Sequence, residues 1–234
     1  MLSSHLEFPR EGHLEEVLHV FAYLKKHMNL EIVFDPTTTE VDMNIFQKQD
    51  WSFSVYSSPE EEFKEEFPPN MLEPLGLRFV MRVYVDSDHV GESVTRRSRS
   101  GYIVFLNSAP IYWLSKKQTS CETSTFRSEF VAMKQAREYT RSLQYKLRMF
   151  GIPVTEPAFV HGDNQSVLCN KTTPQSVLKK KPNEIHFHFL REGCARDEWR
   201  MAYINTHLNV ADLMTEPLAG IKRWKFVQMM QHYL

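Results

Sequence analysis

Four acidic residues, Asp86, Glu129, Asp163 and Asp212, each stand at the edge of a different expected element. Asp86 closes an apolar run over residues 79–85 whose β-branched and aromatic content reads as a buried strand. Asp163 follows a second such run over 158–161 and precedes Asn164, Gln165 and Ser166, a helix-start pattern. Glu129 falls in the first turns of a long helical pattern, and Asp212 opens a short one. A carboxylate at the carboxyl end of a strand points into the crevice where open α/β sheets bind ligands. Several that converge there supply the oxygen ligands that hard cations such as magnesium require. Any one Asp after a strand is usually a turn or cap residue. Four in the order strand, helix, strand, helix read together as a cluster for two divalent metals, and without cations their mutual repulsion predicts a partly protonated or distorted site.

The elements that must position these acids follow from the apolar pattern. Runs near 79–86, 101–107 and 110–116, joined by short connections, predict an antiparallel meander. Ser124 or Thr125 caps a helix running toward Phe150, ended by Gly151 with Pro153 beyond. Its apolar stripe of Phe130, Met133, Ala136, Leu143, Leu147 and Phe150 is expected to pack on the sheet and to aim Glu129. A right-handed crossover then leads to a parallel strand near 158–163. A helix over 184–196, a fifth strand over 200–205 and terminal helices over 210–217 and 221–232 complete the order. The fold class is α/β, a five-stranded mixed sheet of three antiparallel and then two parallel strands flanked by helices. A helical and irregular appendage precedes it. Apolar residues at helical spacing over 13–27 predict an amphipathic helix there. Residues 35–77 are acidic and contain several prolines, which reads as a linker, with Phe46, Trp51, Phe53 and Tyr56 able to dock locally.

Seven short stretches carry a resemblance. They are Tyr84-Val85-Asp86-Ser87-Asp88-His89-Val90-Gly91, Thr95-Arg96-Arg97-Ser98-Arg99-Ser100-Gly101-Tyr102 and Pro110-Ile111-Tyr112-Trp113-Leu114-Ser115-Lys116-Lys117-Gln118, followed by Ser124-Thr125-Phe126-Arg127-Ser128-Glu129-Phe130. Asp163-Asn164-Gln165-Ser166, His188-Phe189-Leu190-Arg191-Glu192 and Ala211-Asp212-Leu213-Met214-Thr215-Glu216-Pro217-Leu218 complete the set. In this order they resemble the ribonuclease H domain of copia-type retrotransposon polyproteins. The resemblance implies a ribonuclease H-like fold over 78–219, with 220–234 as a C-terminal helix. It also implies magnesium-dependent cleavage of the RNA strand of an RNA–DNA hybrid, with manganese as an alternative ion. The metal-ligand roles fall on Asp86, Glu129, Asp163 and Asp212, with Asp86 bridging two ions roughly 3.5–4 Å apart. Residues 1–34 resemble the tail of the reverse transcriptase region in such polyproteins, and the rest of a Pol polyprotein is an expected partner. The chain has no Asp-Asp pair, so DNA synthesis is not expected. Two departures from the family, Glu216 where Lys is common and Pro182 where His is common, bear on substrate contacts and leave room for a cleavage-inactive nucleic-acid-binding module or a retroelement remnant. An integrase-type nuclease fits less well, because the helix-borne Glu129 lies between the first and third acids.

The formal charge of -1 hides an asymmetry: 6 Lys+Arg against 15 Asp+Glu through Arg78, and 22 against 14 from Phe79 onward. The basic part is where a polyanion binds, because lysine and arginine release phosphate counterions. Candidate contacts are Arg96, Arg97 and Arg99, then Lys116 and Lys117, then Lys179, Lys180 and Lys181. Hybrid discrimination calls for groups that reach the 2′-hydroxyls, and Ser87, Asp88, Ser124, Ser128, Asn164 and Gln165 flank the acids. His207, in the loop before Asp212, is a candidate proton shuttle. His161, His186 and His188 lack zinc-ligand spacing and read as core or surface residues. Tyr112 and Trp113 read as sheet core. Three cysteines without a CxxC pair predict free, buried thiols in a reducing compartment. With no membrane-length apolar run and no secretory leader pattern, the expected location is intracellular, cytoplasmic or nuclear.

Overall fold

A computed structural model describes residues 8–56, 68–71, 73–89, 96–121, 124–172 and 184–233. The Lys179–181 cluster, Pro182 and the glutamates at 60–62 and 65–66 lie outside them. After helix α1 (Glu11–Lys26) and the short strand β1 (Leu30–Ile32) come β2 (Met81–Asp88), β3 (Arg99–Leu106), β4 (Ala109–Lys117), the long α2 (Thr125–Met149), β5 (Ala158–Gly162) and α3 (Gln165–Thr172). Then follow α4 (Glu184–Ala195), β6 (Trp199–Tyr203), a 3₁₀ turn at Thr206–Leu208, α5 (Asp212–Thr215), α6 (Gly220–Gln228) and β7 (Gln231–Tyr233). The main sheet has the order β4-β3-β2-β5-β6. β2–β3 and β3–β4 are antiparallel, whereas β2–β5 and β5–β6 are parallel. This is the ribonuclease H-like arrangement expected from the sequence.

Both faces of the sheet are covered, which is why its central strands read as continuous apolar runs rather than alternating ones. On one face Val83, Val85, Val104 and Val160 pack against Phe130, Met133 and Ala136 of α2 and Leu190 of α4. On the other, Tyr84, Ile103 and Phe105 pack against Val210, Ala211 and Phe226. The remainder of that second face is closed by the segment expected to be a linker. Phe46 is buried against Val80, Phe159 and Ala202, and Trp51 is also buried, while Phe53 stands in solvent. Asn107 Nδ2 and Ser108 Oγ donate to the carbonyls of Pro36 and Thr37 and fasten the segment to the β3–β4 turn.

Several expectations need correction. Phe150 is 75% exposed. A 25-residue helix is about 38 Å long and an eight-residue strand about 27 Å, so the end of α2 overhangs the sheet. Trp113 is 45% exposed because it sits on the edge strand β4, while Tyr112, on the opposite face, stacks on Tyr139 with ring centres 3.8 Å apart. The terminal helix stops at Gln228, and β7 then pairs antiparallel with β1, which follows α1. Such pairing between distant short segments leaves no local periodicity to read. Cys121 is exposed and Cys194 half-buried, so burial does not protect the first. Among the described residues no helix is long and apolar enough to cross a membrane.

Candidate metal centre

Parallel pairing of Tyr84 with His161 brings the carboxyl ends of β2 and β5 side by side, so Asp86 and Asp163 emerge at one edge. Asp86 pairs across the β2–β3 ladder with Gly101. A Cβ on that glycine would lie 2.6 Å from Thr215 Cγ2 and 2.7 Å from Met214 Cβ, so its hydrogen side chain is what lets α5 settle onto the sheet. The buried Asn209 fixes the approach: its Nδ2 donates to the Val85 carbonyl at 3.0 Å, and its Oδ1 accepts from the Ala211 amide. Ser115 Oγ donates to the Met214 carbonyl from the edge strand. Seated in this way, α5 places Asp212, 2% exposed, at the same edge.

One carboxylate oxygen from each of Asp86, Asp163 and Asp212 lies within 4.8 Å of the others. Each acid also has a donor. Thr215 Oγ1 donates to Asp86, Lys222 Nζ donates to Asp212, and Thr206 Oγ1 donates to Asp163 at 2.9 Å. Burial pushes the Asp86 carboxyl up to about 7; the Thr215 bond opposes the rise, and the Asp212 and Asp163 charges add to it. Burial also pushes Asp212 up to about 6, against the pull of Lys222. Burial, and not the mutual repulsion expected from the sequence, is the leading cause of both shifts. Asp212 Oδ1 is buried and has no hydrogen-bond partner among the described residues. A buried carboxylate oxygen without a donor is costly, and a cation offsets that cost. The hard oxygen donors and this orphaned atom fit a divalent metal.

Glu129 is buried near the start of α2 but is not one of the three grouped acids. Ser87 and Ser128, expected near substrate, are buried and bonded to each other at 2.9 Å. Gln118 Nε2 donates to both Ser100 Oγ and the Ser128 carbonyl, so this network pins α2 to the sheet and takes both hydroxyls away from the surface. Ser124 stands at the N-cap position, but its side chain makes no capping bond. Asn164 Oδ1 accepts from the Val167 amide as the cap of α3, and Gln165 beside it is exposed. Asp88 is half-buried, and partial burial raises its pKa against the charges of Arg99 and His89. Arg96, Arg97 and Lys116 are exposed, and Lys117 is half-buried. His207 is exposed on the 3₁₀ turn, directly after the Thr206 that holds Asp163. His161 is packed between Phe46, 5.0 Å away, and Tyr84, stacked at 4.7 Å, and burial lowers its pKa to about 4.

Sequence reasoning did not single out Gly101, Gln118, Thr206, Asn209, Thr215 or Lys222 for the site. Gly101, Gln118 and Thr215 lie inside the motif stretches and carried that signal; Lys222 lies beyond the last stretch and carried none.

No protein-family model matches the chain. Over 139 residues it is 29% identical to the retrovirus-related Pol polyprotein from transposon RE1 of Arabidopsis thaliana, covering 59% of this chain and 10% of that protein. It is 27% identical over 141 residues to the corresponding RE2 polyprotein of the same plant, covering 60% and 10%. It is also 26% identical over 137 residues to the retrovirus-related Pol polyprotein from transposon TNT 1-94 of Nicotiana tabacum, covering 58% and 10%. The chain spans about a tenth of the length of these curated relatives. Among solved structures, LC11-RNase H1, isolated from compost by a metagenomic approach, aligns with a TM-score of 0.46 at 16% identity, covering 58% of this chain and 92% of that one. The fold assignment stands on the strand order and register themselves.

Proposed function

We propose that this chain is a ribonuclease H-type endonuclease that hydrolyses the RNA strand of RNA–DNA hybrids with divalent magnesium. The observation that carries the reading is the convergence of Asp86, Asp163 and Asp212 within 4.8 Å at the edge of the sheet. The similarity to transposon Pol polyproteins supports it.

Asp86, Asp163 and Asp212 would hold the metal, and Glu129, buried in the first turns of α2, is the fourth candidate ligand. When bound, divalent cations acidify the attacking water and screen the scissile phosphate. The protein's own groups do the positioning. Thr215 and Thr206 orient Asp86 and Asp163, and Asp212 presents its orphaned Oδ1. The exposed Arg96, Arg97 and Lys116, with Lys117, meet the phosphate backbone, and the exposed Gln165, two residues beyond Asp163, contacts the hybrid. His207, exposed and adjacent in sequence to Thr206, carries a proton to the leaving product. A cleavage-inactive nucleic-acid-binding module is the second reading, favoured by the position of Glu129 outside the three-acid group.

A labelled hybrid incubated with the protein and magnesium tests the proposal. Cleavage of the RNA strand is expected, with Asp86→Asn and Asp163→Asn each reducing it at least about a thousandfold. Full activity in Asp86→Asn refutes the assignment, and salt-dependent binding without cleavage by the unaltered chain selects the second reading.

A further inference from the structure

Lys222 enters the acid cluster from outside the segments that carry the acids. Its ammonium donates to Asp212 Oδ2, lies 3.7 Å from Glu216 Oε1 and stands 5.7 Å from the centre of the Phe226 ring. The Lys222 side chain is only 23% exposed. The helix that delivers it is held on both sides. Phe226 is fully buried against the sheet, Arg223 lies over Tyr23, and Trp224 meets the edge of His27, both partners belonging to the N-terminal appendage. The β1–β7 pairing anchors the chain just beyond it. Lys222 is therefore a seated cation, not the tip of a loose tail.

Asp212 has two oxygens, and they have different fates. Oδ2 is taken by Lys222, and Oδ1 is buried with no partner among the described residues. A divalent ion on Oδ1 comes close to an ammonium of like sign, and repulsion between them weakens its binding. Glu216, half-exposed and already within 4 Å, is a ready second partner for a flexible lysine stem. We propose that Lys222 is a resident counter-ion of the acid cluster, displaced from Asp212 toward Glu216 when a divalent cation binds, and that it thereby lowers the affinity of the free protein for metal. This rests on the metal-centre reading above. Its consequence is a site that fills poorly until other charges, such as those of a bound phosphate backbone, favour the cation.

The test uses the metal-stripped chain of residues 1–234 without nucleic acid, titrated with manganese and followed by the electron paramagnetic resonance of the free ion. Lys222→Gln and Lys222→Met are expected to bind the first ion about tenfold more tightly than the unaltered protein, as for loss of one partly buried like charge. Lys222→Arg, which keeps the charge, is expected to stay within about twofold, and Asp212→Asn to bind more weakly. Two neutral replacements of different polarity, each with its melting temperature recorded, keep a folding defect of one from deciding the result. If both neutral variants bind manganese no more tightly than the unaltered chain while Asp212→Asn still weakens it, the role of Lys222 is refuted and the metal centre stands. If no variant binds manganese, both readings fall.

Discussion

Replacing Gly101 by Ala tests whether α5 is held on the sheet as described. The added Cβ would lie 2.6 Å from Thr215 Cγ2, 2.7 Å from Met214 Cβ and 3.1 Å from the Ala211 carbonyl oxygen. Carbon atoms rest at about 3.5–4.0 Å, so α5 must lift by roughly 1 Å. None of the three neighbours is the far end of a flexible side chain that could swing aside. The bonds from Asn209 to Val85 and from Ser115 to Met214 resist the lift. Forcing a methyl group into such a contact costs about 1–3 kcal/mol. A glycine in an unobstructed strand would instead gain up to about 1 kcal/mol on becoming alanine, so the sign of the change is diagnostic. Lifting α5 carries Thr215 off Asp86 and Asp212 out of the acid group, so one substitution that alters no carboxylate should damage both stability and metal binding. Urea denaturation of the metal-stripped protein and manganese titration measure the two effects. A loss of about 1–3 kcal/mol is expected, with manganese affinity down at least about tenfold, the factor equivalent to 1.4 kcal/mol. Gly12→Ala, with nothing within 4 Å of its Cβ, is the control and should be neutral or stabilising. A Gly101→Ala protein as stable as its parent and equally able to bind manganese would refute this account of the site.

Two further predictions concern titration and packing. Asp86 has its pKa raised in the folded state, so it favours folding at low pH, and that contribution is lost as pH rises from its unfolded value of 3.8 through about 7. Between pH 5 and pH 8 without metal, the unaltered chain should therefore lose about 2–3 kcal/mol of unfolding free energy relative to Asp86→Asn, and a flat difference would contradict the burial of Asp86. Phe46→Ala should cost about 3 kcal/mol and let the His161 pKa rise from about 4 toward the ordinary 6.5, since Phe46 covers that ring. Denaturation and an NMR titration of His161 read the two effects, and an unmoved His161 would mean that burial by Phe46 is not what lowers it.

The sheet was legible because its strands are apolar runs broken by turn residues, and β2, β3 and β4 lie within about two residues of where those runs end. Its order was less a matter of pattern than of connection length and crossover handedness, together with the motif resemblance. What the sequence concealed depends on tertiary position. Phe150 continues the apolar stripe of α2, and nothing local says that the sheet has ended beneath it. Trp113 looks like core until β4 is known to be the edge strand. Phe46 sits in an acidic stretch whose composition suggests a solvated linker, yet its ring packs on His161 and Phe159 and, with the buried Trp51 and the bonds from Asn107 and Ser108, holds the segment down.

The site divides along the same line. Asp86 and Asp163 were readable because the end of a strand is a place that sequence marks, and Asp212 because a short helix begins on it. The groups that set their properties carry no such mark. A threonine one turn further along α5, a glycine on the neighbouring strand and a lysine ten residues past Asp212 become relevant only when α5 and α6 fold back onto the sheet. Burial that brings three carboxylates within 4.8 Å raises the pKa of two of them, and the lysine that offsets part of this repulsion stands on the acid whose other oxygen has no partner. In the proposed reading, the same residue that offsets charge in the metal-free cluster opposes the cation proposed for it. Removing it should make the metal-free protein less stable and the metal-bound protein relatively more so. A comparison of Lys222→Gln with its parent by thermal melting, with and without manganese, should therefore show a larger stabilisation by manganese in the variant, and equal shifts in both conditions would mean that Lys222 contributes packing alone.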